Sequence, residues 1–125
     1  MTFGSIDRLP EGLLIGKILK TFAELGVMPQ VVAALDTKGI ETAFPIQEMA
    51  LPIALAGSDL IGQARTGTGK TFAFGIPLVQ RTISPTDPRF ADLKGKNLPQ
   101  ALIVAPTREL ALQVSKDIEL VSEDL

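Results

Sequence analysis

The chain has 125 residues, of which 46% are hydrophobic and 21% charged, with a formal net charge of -2; that is enough for one modest domain with a buried core and too little for a two-domain enzyme. Cysteine and histidine are both absent, which excludes disulfides, zinc clusters, a cysteine nucleophile and any Ser-His-Asp triad. Tyr and Trp are missing too, leaving six Phe as the only aromatic rings, and the slightly acidic balance excludes a surface that holds nucleic acid by bulk charge.

In chain order, residues 1–20 show no clean period and carry Pro10 and three glycines; they read as an N-terminal tail or extension. They lack a basic stretch followed by a long apolar one, and Gly12–Gly16 is too short to cross a bilayer. The expectation is therefore no membrane partner and a cytoplasmic location. Pro29, Val31, Val32 and Leu35 predict a short helix, with Gly39 where a left-handed terminating residue belongs. A second helix is expected from Pro45 to Ala56, stopped by Gly57 and bent or broken early at Pro52.

Leu60–Ala64 reads as a buried strand that runs into a glycine-rich loop and then a helix from Lys70. A polar, Pro-rich connection spans Ser84–Pro99. Ala101–Ala105 is a continuous apolar run between prolines, which suits a central parallel strand. Thr107 can then cap a helix whose apolar positions Leu110, Val114, Ile118, Val121 and Leu125 fall 4, 4, 3 and 4 residues apart. Strand, helix, strand, helix implies a parallel α/β sheet with a right-handed crossover and flanking helices.

The segment Ala64-Arg65-Thr66-Gly67-Thr68-Gly69-Lys70-Thr71 is a phosphate-loop pattern with Ala in place of the first Gly. Glycines let successive N–H groups point inward around phosphate oxygens, and the helix that follows offers its unpaired amides and positive dipole end. Lys70 supplies a charge for the β- and γ-phosphates, and the Thr71 hydroxyl a ligand for Mg²⁺. A chance match in a chain of this length arises in roughly one sequence per hundred on average residue usage, and this one lies between an apolar run and a helix, as the chemistry requires.

Two further segments carry a resemblance. Gly39-Ile40-Glu41-Thr42-Ala43-Phe44-Pro45-Ile46-Gln47, with Phe22 seventeen residues ahead of Gly39, resembles the Q motif of DEAD-box ATP-dependent RNA helicases. Ala64–Thr71 resembles their motif I and Pro106-Thr107-Arg108-Glu109-Leu110 their motif Ia, in matching order and spacing, with bacterial members the most similar. The resemblance covers residues 21–125 as the N-terminal portion of the ATP-binding domain. It implies a partial RecA-like phosphate-loop NTPase fold in which only the first strands are present. It implies ATP and Mg²⁺ as cofactors, with Lys70 and Thr71 catalytic and Ala64 to Thr71 around the phosphates. RNA would be held through its backbone by Pro106, Thr107, Arg108 and Glu109, without sequence preference.

An amide side chain presents an acceptor and a donor side by side, which fits N7 and the N6 amino group of adenine. The resemblance assigns that role to Gln47 and places the Phe22 ring on the base. Ala43 and Phe44 stand where a Pro and then a Ser or Thr are usual, and Phe44 reads as a packing residue. The alternatives are a solvated Gln47 with Phe22 as ordinary core, and an Arg108 that pairs with a carboxylate.

The resemblance stops at motif Ia. The Asp-Glu-Ala-Asp motif, expected within several dozen residues beyond Leu125, the Ser-Ala-Thr motif and a second RecA-like domain are not in the sequence. The chain alone is therefore expected to bind nucleotide without hydrolysing it, and its two strands are expected to lack neighbours. The remainder of the helicase core would be its partner. A non-catalytic adenine-nucleotide or RNA-binding module and a different phosphate-loop NTPase, such as a small-molecule kinase, are the other readings.

Overall fold

The computed structural model describes residues 19–65, 67, 69–123 and 125. Most of the expected tail therefore lies outside the described residues. Four α-helices are present among those described: α1 (Pro29–Asp36), α2 (Pro45–Leu55), α3 (Lys70–Arg81) and α4 (Arg108–Ser122), with a 3-10 turn at Pro88–Asp92 between the last two.

Their ends follow local chemistry. Proline opens α1 and α2, where the missing N–H has no partner to lose. Gly39 and Gly57, just past those helices, sit at φ 71° and 90°, a region glycine enters without steric cost. The Thr107 hydroxyl caps α4 by accepting from the Leu110 N–H at 3.2 Å.

The expected early break at Pro52 does not occur, and α2 runs through it. Proline there removes one ladder hydrogen bond, while Ile46, Gln47, Ala50 and Leu51 on the buried face hold the helix in place.

The core joins the turn at Phe22, Leu25 and Val27 to Val31 and Leu35 of α1, Leu51 of α2, Ile76 and Val79 of α3 and Val121 of α4. A Thr21–Glu24 capping box ties that turn: the Thr21 N–H donates to Glu24 Oε2 at 3.0 Å and the Glu24 N–H to Thr21 Oγ1 at 3.3 Å. The Met28 N–H donates to Gln80 Oε1 at 2.8 Å, fastening the start of α1 to α3. A second cluster of Ile46, Ala50, Ala64 and Ala73 seats the start of the glycine-rich loop between α2 and α3.

The two expected strands are not built as a sheet. Residues 101–105 carry no strand pairing, and 60–64 carry a single bridge residue at Ile61. Leu102 and Val104 are 85% and 84% exposed. The reason is physical: an apolar run becomes a central strand only when neighbours satisfy its backbone groups and cover both faces. The two runs do not supply that for each other.

Between α3 and α4 the chain makes a proline-rich excursion, as expected, and its neck is closed by one side chain. Gln100 Oε1 accepts from the Ile83 N–H at 2.8 Å while its Nε2 donates to the Ile83 carbonyl at 2.9 Å. The amide thus does at one residue what a paired strand would do along a ladder.

Candidate functional site

Ala64, packed in the second cluster, delivers the chain into the loop, and α3 receives it at Lys70. Gly67 and Gly69 both sit at φ 81°, and Gly69 is the residue that caps α3. A Cβ at Gly67 would meet nothing, so glycine is needed there for the backbone conformation. At Gly69 a Cβ would also strike the Gln47 amide and the Phe44 ring. Among the described residues no side chain caps the first turn of α3, leaving its amides directed at whatever anion enters. The Lys70 side chain is exposed and Thr71 is half-buried; Arg65 is exposed, and Thr66 and Thr68 lie outside the described residues.

Gln47 holds the loop from the side. It is 1% exposed, so it is not a solvated helix residue. Its Oε1 accepts from the Phe44 N–H at 2.9 Å, one half of a capping box, and its Nε2 donates to the Gly69 carbonyl at 3.0 Å. The two partners fix the orientation of the amide, because only oxygen can accept from the first and only nitrogen can donate to the second. One lone pair and one hydrogen of the amide remain.

The two rings near the motif differ in exposure. Phe22 is 1% exposed and packed in the main core, as deeply buried as Gln47. Phe44 is 54% exposed and lies against Gly69, not in the core as its hydrophobicity alone suggests.

Motif Ia is brought to the same place. A cavity of about 440 Å³ is lined by Gly67, Gly69, Lys70 and Thr71 on one side and by Val104, Pro106, Gln113 and Asp117 on the other. Thr107, Arg108 and Glu109 are exposed at the first turn of α4. Burial pushes the Asp117 carboxyl above its ordinary range. Among the described residues no three acidic groups cluster as a metal cage. The donor set instead suits a cation held by the Thr71 hydroxyl together with phosphate oxygens, as Mg²⁺ with its high water retention prefers.

Comparison with known proteins decides the family. A family model described as DEAD/DEAH box helicase matches residues 44–125. The chain belongs to that family.

It is 53% identical over 95 residues to the mitochondrial DEAD-box ATP-dependent RNA helicase 9 of Arabidopsis thaliana, covering 76% of the chain and 15% of that protein. It is 48% identical over 103 residues to the ATP-dependent RNA helicase CshA of Listeria monocytogenes, covering 82% of the chain and 18% of that protein. The solved structure of S. cerevisiae Dbp5 bound to RNA and ADP BeF3 superposes with a TM-score of 0.69 at 33% identity, over 83% of the chain and 25% of that one. This DEAD-box chain thus spans about a quarter or less of these proteins. Its fold class is that of their RecA-like domains, represented here by helices and by strand segments that lack their ladder.

Proposed function

We propose that the chain is the ATP-binding part of a DEAD-box RNA helicase, holding MgATP by the loop from Ala64 to Thr71 and RNA backbone at the start of α4. The observation that carries this reading is the Gln47 bridge to Gly69, because it joins a base-recognition amide to the phosphate-binding end of α3. The β- and γ-phosphates take the unpaired amides of the loop and the ammonium of Lys70. When bound, Mg²⁺ supplies Lewis-acid neutralisation of phosphate charge, with Thr71 as its protein ligand. The remaining lone pair and hydrogen of Gln47 match N6 and N7 of adenine, which requires a local shift at the start of α2 to open the buried amide. Arg108, Thr107 and the first N–H groups of α4 hold an RNA phosphate, a reading supported by the RNA bound to Dbp5 in its solved complex. No carboxylate in these motifs is set to activate water, so the chain binds ATP without turning it over.

Calorimetry with MgATP and MgGTP tests the reading. Lys70→Ala should weaken both triphosphates by about 10- to 100-fold, the range of a charge-assisted hydrogen bond pair. Gln47→Ala should weaken ATP more than GTP. Equal affinity of the unmutated chain for the two nucleotides would remove the adenine assignment. RNA binding should be weak, should fall with salt and should be indifferent to sequence.

A further inference from the structure

We infer that Phe44 is a positioning residue for the phosphate-binding loop: with Gln47 it holds Gly69 in the left-handed conformation that aims the first amides of α3 at a phosphate chain. The inference rests on the nucleotide reading above and adds to it what shapes the loop before a ligand arrives. The two left-handed glycines of the loop are held differently. At Gly67 a Cβ would meet nothing within 4 Å. At Gly69 the same atom would lie 2.9 Å from Cδ2 of the Phe44 ring and would strike the Gln47 amide. The Gly69 carbonyl accepts from Gln47 Nε2 at 3.0 Å and from the Ala73 N–H, the first bond of α3, at 3.3 Å. Gln47 Oε1 in turn accepts from the Phe44 N–H at 2.9 Å. Ring and amide therefore form one bracket, closed on itself by a hydrogen bond, around the residue that caps α3.

Gly69 is where such a bracket matters. A glycine enters φ of either sign at little cost, so an unbraced Gly69 would let the peptide ahead of Lys70 turn away from the anion. Fixing that peptide in advance removes an ordering cost that binding would otherwise carry. Phe44 stands where the resemblance has a Ser or Thr, so a hydroxyl able to hydrogen-bond gives way to an apolar face that acts by contact alone. The ring is 54% exposed, and both apolar clusters are built from other residues. Its removal should therefore tell on the loop and not on global stability.

Two truncations of the ring test this. In calorimetry, Phe44→Ala should weaken MgATP and base-free inorganic tripolyphosphate by the same factor, about 3- to 10-fold, the range of ordering one mobile group on binding. Phe44→Leu, which keeps apolar bulk, should recover most of both affinities. Amide hydrogen exchange, read by NMR without ligand, should be several-fold faster at Ala73 in Phe44→Ala and unchanged at Thr82, whose N–H closes the far end of α3. A loss for MgATP alone overturns the inference in favour of a ring that meets the base. Unchanged affinity for both ligands overturns it outright. Exchange that rises equally at Ala73 and Thr82 overturns it in favour of general packing. Failure of the unmutated chain to bind either ligand strikes the nucleotide reading itself, and the Ala73 exchange still decides whether the ring braces Gly69.

Discussion

The two halves of the cavity are made in opposite ways. On the loop side, one glycine, one buried amide and one helix end are tied by hydrogen bonds between residues of this chain, and a small apolar cluster lies beneath them. On the motif Ia side the helix is capped and in place, but the apolar run that leads into it stands in solvent. A turn-and-cap site needs few partners and little area. A strand needs backbone neighbours on both edges and side-chain cover on both faces. The phosphate side of a RecA-like domain can therefore be organised by a sequence too short to organise its sheet.

The largest expected effect breaks the organised side. Gly69→Ala forces a left-handed backbone on a residue with a Cβ and pushes aside the Gln47 amide. The two costs together come to about 2–3 kcal/mol. A denaturant titration followed by circular dichroism should show the midpoint fall, and nucleotide binding should be lost with it.

A smaller effect sharpens the contrast on the other side. Leu102→Lys with Val104→Lys replaces two exposed apolar side chains, so thermal stability should change by less than about 0.5 kcal/mol, as for other surface positions. Aggregation during the melt should fall, which light scattering can follow, because an unpaired apolar edge is removed. The same pair placed in a chain long enough to complete the sheet should be strongly destabilising. A large loss of stability in the 125-residue chain would mean that 101–105 is covered after all.

The smallest effect lies away from both. The Arg89 guanidinium beside Asp87 lowers its carboxyl to about 2, from an ordinary 3.8. The folded form thus prefers the carboxylate. Its contribution is complete above the ordinary range, drains away as pH falls through about 2, and is small because the pair is exposed. Carboxyl titration by NMR should show the depressed midpoint, and Arg89→Ala should return it only part of the way, because the backbone N–H of residue 89 still donates to Asp87 Oδ1.

Much of this was legible in the sequence because it is local. Proline and glycine mark the ends of α1 and α2, the 4-4-3-4 spacing gives α4, and the phosphate loop carries its own chemistry. What was not legible depends on distant partners. Whether Ala101–Ala105 becomes a strand is decided by neighbours, not by its own residues. The path of α2 through Pro52 is decided by the face it buries. That Phe22 is buried and Phe44 exposed follows from which ring the core closes over, and two phenylalanines are indistinguishable to a reading of hydrophobicity.

The Gln100 clamp on Ile83 has a practical consequence. Because the two ends of the 84–99 excursion are already fastened at its neck, a change of length between them does not pull directly on the end of α3. Doubling such a loop costs only about 0.6 kcal/mol in closure entropy. The excursion is therefore a place to graft an epitope, a peptide tag or a small reporter domain without disturbing the helices on either side. Replacing Gln100 would couple the two, so that every added residue pulled directly on the end of α3.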